Sequence, residues 1–294
     1  MPDRLLVNVF NLDAAVIVAR ARGLFSANGL DVEVMATPNS TDQMRGLSRG
    51  SWEIVSTAFD NVLGWSGREG VEIVAVAQIA QGISLPVFVR PEIQSWADLR
   101  GKPLAVDAVD TAYALVLRRI LLAHGLDLDR NDYRLLPKGA TGHRLDSMKQ
   151  KETFAGILNP PWDAQAVAAG MLRFGDHREV LPEYPGGVFA VGRLWAGDYR
   201  DLLVRFLRAW EEARAWASDS KNHDQVIRII AEAEKLEEKA AAHRLRQLPK
   251  NGQLNITGLR AVLDLRVQFG LTPTLGTELM RYYDESFYRD ASRK

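Results

Sequence analysis

The chain has 294 residues, enough to bury a large core in one or two domains, and 47% of them are hydrophobic and 25% charged, as in an ordinary globular protein. Its 37 Lys and Arg balance 37 Asp and Glu, which argues against nucleic acid or an anionic membrane as the main partner, since both reward a basic surface. Cysteine is absent, so disulfides, cysteine-bound zinc and a thiolate nucleophile are excluded, and no apolar run reaches the roughly 18 residues that suggest a membrane span.

In chain order, a strand is predicted over 5–10, a helix over 14–25 ending towards Gly29, and a second strand over 32–35. Thr-Pro-Asn-Ser-Thr-Asp at 37–42 is a turn-and-cap cluster, with Ser40 or Thr41 expected to cap the helix that carries Met44 and Leu47. A short strand at 54–55, a loop over 56–61, a helix from Val62 and an apolar strand over 71–78 complete a βαβαβαβ pattern. Such a pattern predicts a mainly parallel sheet with helices on both faces.

The segment 85–90 is the candidate first crossing to a second lobe. Ser95 is expected to cap a short helical turn over 96–99, and Gly101 to end it. An apolar strand over 104–106 leads through a polar loop, 107–111, into an amphipathic helix with Leu115, Leu117, Ile120 and Leu121. Further predictions are strands over 133–136 and 154–158, helices over 143–149 and 164–169, and a return crossing over 186–192. From Tyr199 the period becomes helical: Leu203, Phe206, Leu207 and Trp210 share one broad face. The charges at 232–239 read as a solvated helix face, and Met280, Tyr282, Tyr283 and Phe287 as core packing.

Four segments carry a family resemblance: Asp-Leu-Arg-Gly-Lys-Pro-Leu-Ala-Val at 98–106, Arg-Gly-Leu-Phe-Ser-Ala-Asn-Gly-Leu-Asp-Val-Glu-Val at 22–34, Gly-Leu-Ser-Arg-Gly-Ser-Trp-Glu-Ile at 46–54, and Ala-Gly-Ile-Leu-Asn-Pro-Pro-Trp-Asp at 155–163. In this order they resemble type II periplasmic substrate-binding proteins of ABC importers, in the branch of sulfonate, nitrate and thiamine-pyrimidine binders. Trp52 and Glu53 depart from it, standing where a small residue and Asp are usual. The resemblance covers about the first two-thirds of the chain. It implies an α/β fold of two lobes, with mainly parallel sheets, helices on both faces, a hinge of two crossing strands and a helical C-terminal region. The first lobe would comprise 1–88 and 188–294, the second 89–187.

The same resemblance implies a ligand held between the lobes by polar loops. The candidates in the first lobe are Asn11 and Asp13, then Ser40 and Thr41, then Phe59 with Asp60 and Asn61, an aromatic platform beside hydrogen-bonding groups. Those in the second are Asp107, Asp110, Thr111 and Tyr113 at a helix entry, His143 after a glycine-flanked loop, and Asn159 and Trp162 around two prolines. Each of these polar residues is also a credible helix cap or turn former, and each aromatic a credible core residue.

Six aspartates lie in or beside these loops (Asp13, Asp42, Asp60, Asp107, Asp110, Asp163), with Lys138 and Arg144 their nearest cations. That balance points to an amine or aminopyrimidine-like ligand stacked on Phe59 or Trp162. The expected function is capture of a small polar or aromatic nitrogen-containing solute by a monomer that delivers it to an ABC permease, with no cofactor and no metal. The alternative is an enzyme on the same fold, a decarboxylase-like lyase or an isomerase using His143 with an aspartate. The N-terminus shows no signal-peptide apolar region, so the chain is expected either to begin at a mature periplasmic end or to remain cytoplasmic.

Overall fold

A computed structural model describes residues 2–293. The chain divides into two compact units. The first holds the residues up to Gly82, Pro185–Arg260 and those from Thr272 onward; the second holds Ile83–Tyr184 and Ala261–Leu271. The segment Ala261–Leu271, expected in the first lobe, packs with the second unit. There the Arg118 guanidinium covers the Phe269 ring at 4.1 Å.

In the first unit the chain runs β1 (Asp3–Val9), α1 (Ala14–Ala21), α2 (Leu24–Ala27), β2 (Leu30–Ala36), α3 (Ser40–Ser48), β3 (Ile54–Thr57), α4 (Phe59–Trp65) and β4 (Ile73–Gln78). The single helix predicted over 14–25 is two, because Gly23 sits at φ +66, a left-handed conformation that breaks the hydrogen-bond ladder. The loop predicted over 56–61 shrinks to Ala58: β3 runs on to Thr57 and α4 starts at Phe59.

The second unit contains β5 (Pro86–Val89), β6 (Pro103–Val106), α5 (Ala112–Ala123), β7 (Arg134–Pro137), α6 (Thr141–Lys149), β8 (Ala155–Ile157), α7 (Trp162–Ala168) and β9 (Leu172–Asp176). Strand β9 has no counterpart in the sequence reading; only one of its five residues, Phe174, is aromatic, and Leu172 is exposed. Before β6, the turn Trp96–Leu99 is 3₁₀, with Asp98 accepting from the Gln94 and Ser95 N–H groups at 2.9 Å.

The chain then returns to the first unit as β10 (Val188–Gly192), α8 (Arg193–Asp198), α9 (Arg200–Ser218), α10 (His223–Glu234), α11 (Glu238–Leu245), α12 (Ile256–Gln268) and α13 (Ser286–Ser292), with the later half of α12 in the second unit. The charge run 232–239 spans a helix end rather than one face, because Lys235 terminates α10 in a left-handed conformation at φ 52. Tyr282 and Phe287 are buried as expected of core, but Met280 is 76% exposed.

Each unit is built on a five-stranded sheet, ordered β2-β1-β3-β10-β4 in the first and β7-β6-β8-β5-β9 in the second. Strand β1 pairs in parallel with β2 and β3, and β6 with β7 and β8. Strand β10 is antiparallel to both β3 and β4, and β5 to both β8 and β9, so four strands of each sheet run one way. The two odd strands are the ones predicted as crossings. Both are apolar throughout and buried, as a strand flanked on both sides must be.

In the first unit α9 supplies Leu203, Phe206, Leu207 and Trp210, at helical spacing, to one continuous core. Phe206 stacks on Phe25 at 5.4 Å and Trp210 meets Phe189 edge-on at 5.7 Å. Each of these large side chains contributes roughly 2 kcal/mol by leaving water.

Candidate functional site

Parallel pairing puts the carboxyl ends of β1, β2 and β3 on one edge of the first sheet, where the helices that follow begin. There the candidates serve as caps and ties. Asp13 caps α1, accepting from Val16 N–H at 2.8 Å, and its second oxygen accepts from Trp210 Nε1 at 2.9 Å. Burial raises the Asp13 pKa to about 6, against the lowering effect of those two donors.

Asn39, and neither Ser40 nor Thr41, caps α3: its Oδ1 accepts from Asp42 N–H at 2.8 Å, and Ser40 and Thr41 are already helical. Phe59 is only 2% exposed, so it offers no open face for stacking; as the first residue of α4 its ring is buried. Asp60 is buried as well. Asn61 donates to Thr57 Oγ1 at 2.9 Å, while Asn11 is exposed.

The departure at Trp52 and Glu53 has a local cause. The Trp52 ring lies over Gly46 of α3, where a Cβ would fall 2.1 Å from it, and its Nε1 donates to the Gln43 carbonyl at 2.9 Å. Glu53 accepts from Leu6 N–H at 2.7 Å.

The second sheet differs. The loops after β6, β7 and β8 emerge on one edge and lead into α5, α6 and α7. None of these helices is capped by the side chain at its start, where Thr111, Ala140 and Pro161 stand. Thr111 turns its hydroxyl away from the helix, donating to Asp107 Oδ1 at 2.5 Å and to Ala108 O at 3.0 Å. The first turns of α5 and α6 thus lack a side-chain cap on their N–H groups.

These loops are linked through Arg144, a residue that sequence reasoning named only as a nearby cation. It is 2% exposed, one turn into α6. Its guanidinium donates to Thr141 Oγ1 at 2.7 Å and to Gly139 O at 3.3 Å, lies 5.5 Å from the Tyr113 ring centroid, and comes within 3.8 Å of Asp107 Oδ1. Burial is the largest influence on Arg144 and lowers its pKa, against the opposing pull of Asp107. Burial pushes the Tyr113 phenol up to about 12.

Thr141 in turn donates to Asn159 Oδ1 at 2.8 Å. Trp162, half-buried, lies across α6 at Gly142, where a Cβ would fall 2.9 Å from its ring. The structure therefore brings Asp107, Thr111, Tyr113, Asn159 and Trp162 together with Arg144 and Thr141.

Asp110 and His143 are exposed, and His143 makes no hydrogen bond or ion pair among the described residues, so no histidine–aspartate pair forms there. The aspartate excess is also spoken for. Asp13 caps, Asp42 accepts from Asn39 at 2.8 Å, Asp107 accepts from Thr111, and Asp163 accepts from Ala164 N–H at 2.8 Å. The signal for Arg144 was present in the sequence as a donor-only side chain three residues after a threonine, but nothing in it marked the arginine as buried.

The model of the NMT1-like family matches residues 9–231. Among solved structures, the alkanesulfonate-binding protein SsuA from Xanthomonas axonopodis pv. citri bound to MOPS superposes with a TM-score of 0.77 at 15% identity, covering 96% of this chain and 99% of that one. The periplasmic nitrate-binding protein NrtA from Synechocystis PCC 6803 gives 0.80 at 14% identity, covering 99% and 88%. The desulfurization enzyme DszB gives 0.72 at 16% identity and 98% coverage of both chains. No curated protein sequence matches. At these identities the shared property is the fold, and that fold serves binders and an enzyme alike.

Proposed function

This chain belongs to the NMT1-like family and has the type II binding-protein fold, and on that premise we propose that it is a solute-binding protein for ABC-type uptake. The observation that carries the reading is the second sheet's carboxyl edge, where α5 and α6 begin without side-chain caps and a half-buried tryptophan lies across the start of α6. Open α/β sheets bind ligands at this edge, and uncovered helix starts supply donors for them. A half-buried aromatic with a few convergent polar groups is the usual lining of a small-molecule site.

The ligand is a small polar or aromatic molecule, nitrogen-containing, with its ring against Trp162. The exposed carboxylate of Asp110, on the loop that leads into α5, supports an amine or ring nitrogen on it; Asp13, Asp42, Asp107 and Asp163 no longer do, being bonded within the protein. Family and fold support a monomer working in the periplasm and handing its ligand to a permease.

A thermal-shift screen tests this, with aminopyrimidines, pyridine carboxylates, sulfonates and polyamines, and mass spectrometry of each mixture afterwards. A ligand at about a hundred times its Kd adds roughly 2.7 kcal/mol, a rise of a few degrees in Tm. A shifted melt with the compound recovered unchanged is expected. A chemically altered compound would make this an enzyme on the binding-protein fold.

A further inference from the structure

We propose that Arg144 sets the hydrogen-bond polarity of the ligand site, so that Asn159 offers its amide N–H to the ligand and selects an acceptor oxygen there. This rests on the solute-binding reading and names what that ligand carries at one point: a carboxylate, sulfonate or carbonyl oxygen.

The argument follows the protons. A guanidinium has five N–H donors and no acceptor. Thr141 Oγ1 must therefore accept from Arg144, at 2.7 Å. The hydroxyl has one proton, and it goes to the remaining polar neighbour, Asn159, at 2.8 Å. The Asn159 atom that receives it is then the carbonyl oxygen, which leaves Nδ2 on the other side of the amide. Among the described residues its one hydrogen bond is a long one, to Pro160 O at 3.4 Å. At least one Asn159 N–H is left uncommitted on a half-buried side chain beside Trp162.

The cation itself is fixed in place by burial and by Gly139 O, and its Nε has no partner. No carboxylate is hydrogen-bonded to it, since Asp107 stands off at 3.8 Å and accepts from Thr111 instead. Arg144 is in this account a positioning residue acting through Thr141, and Asn159 the group that touches ligand.

The test uses a matched pair of probes, nicotinate and 3-(aminomethyl)pyridine, which share a ring and differ in offering an oxygen acceptor or an amine donor. The full-length protein is expected to bind nicotinate at least about tenfold more tightly, the worth of one well-placed hydrogen bond. Thr141→Val removes the hydroxyl at nearly constant shape, frees the amide to turn, and is expected to bring the ratio to about one, while Thr141→Ser retains it. Asn159→Asp replaces the donor by an acceptor and is expected to reverse the preference. A merely structural Thr141 would weaken both probes equally and leave the ratio unmoved; that result overturns the proposal alone. A wild-type preference for the amine also overturns it alone. If neither these probes nor the wider screen shifts the melt, the solute-binding reading falls and takes this proposal with it.

Discussion

Two of the buried arginines are held in opposite ways. Arg214, on α9 of the first unit, is gripped by both oxygens of Glu211 at 2.8 and 2.6 Å, and also donates to Pro249 O at 3.2 Å. Glu211 accepts a further bond from the Tyr288 hydroxyl at 3.0 Å, and Gly252 N–H donates to that hydroxyl at 2.7 Å. The hydrogen bond to Glu211 outweighs desolvation and raises the Arg214 pKa. Arg144 in the second unit has no hydrogen-bonded carboxylate, and desolvation lowers its pKa. A buried charge gripped by two hydrogen bonds to one carboxylate holds structure together; Arg144 has its carboxylate only as an ion-pair neighbour at 3.8 Å and is held less tightly.

The contrast can be broken at its strong end first. Glu211→Ala leaves Arg214 buried without its carboxylate and removes an acceptor from Tyr288, and is expected to cost about 3 kcal/mol in urea unfolding. A loss below about 1 kcal/mol would show that the first-unit pair is no more structural than the second.

Asp13 sharpens the comparison with a half-buried carboxyl group. Its pKa is raised from 3.8 to about 6, so between those values the folded protein holds a proton that the unfolded chain has released. Stability from this group is therefore full below the lower value and falls as pH rises through about 6, by roughly 3 kcal/mol. Unfolding measured across that window is expected to show the fall in wild type and not in Asp13→Asn.

Asp107→Asn is expected to cost about 1 kcal/mol, because Asp107 is not hydrogen-bonded to Arg144 and the amide can still accept from Thr111. Arg144→Met should change stability least, by less than about 1 kcal/mol, because removing an under-compensated buried charge offsets the lost bonds to Thr141 and Gly139. A cost near that of Glu211→Ala would place Arg144 among the structural ion pairs.

Much of the architecture was legible in the chain. The apolar runs at β4, β5, β6 and β10 and the period of α9 were read as strands and helix, and both antiparallel strands were found because a strand paired on both sides needs an unbroken apolar sequence. Strand β9 was missed because its exposed Leu172 and Arg173 give no alternation to read. The candidate site was half legible. The loops were found, since turn formers after a strand announce themselves, but a polar residue at a helix start reads the same whether it caps or binds. Asp13 and Thr111 look equivalent in sequence; one accepts from its helix and the other does not.

Most strands and helices were legible in the sequence because periodicity and turn chemistry act over a few residues, and the family because four segments resemble it in order. Tertiary structure alone decided that Phe59 is buried, that Asn39 rather than Ser40 caps, and that Arg144 lies inside. The burial of Phe59 and Arg144 has one physical reason in common, whereas the cap is a choice among adjacent residues. Burial and proton direction depend on groups far apart in the chain, and Arg144 acquires its role only where Asp107, Gly139, Thr141 and Asn159 meet.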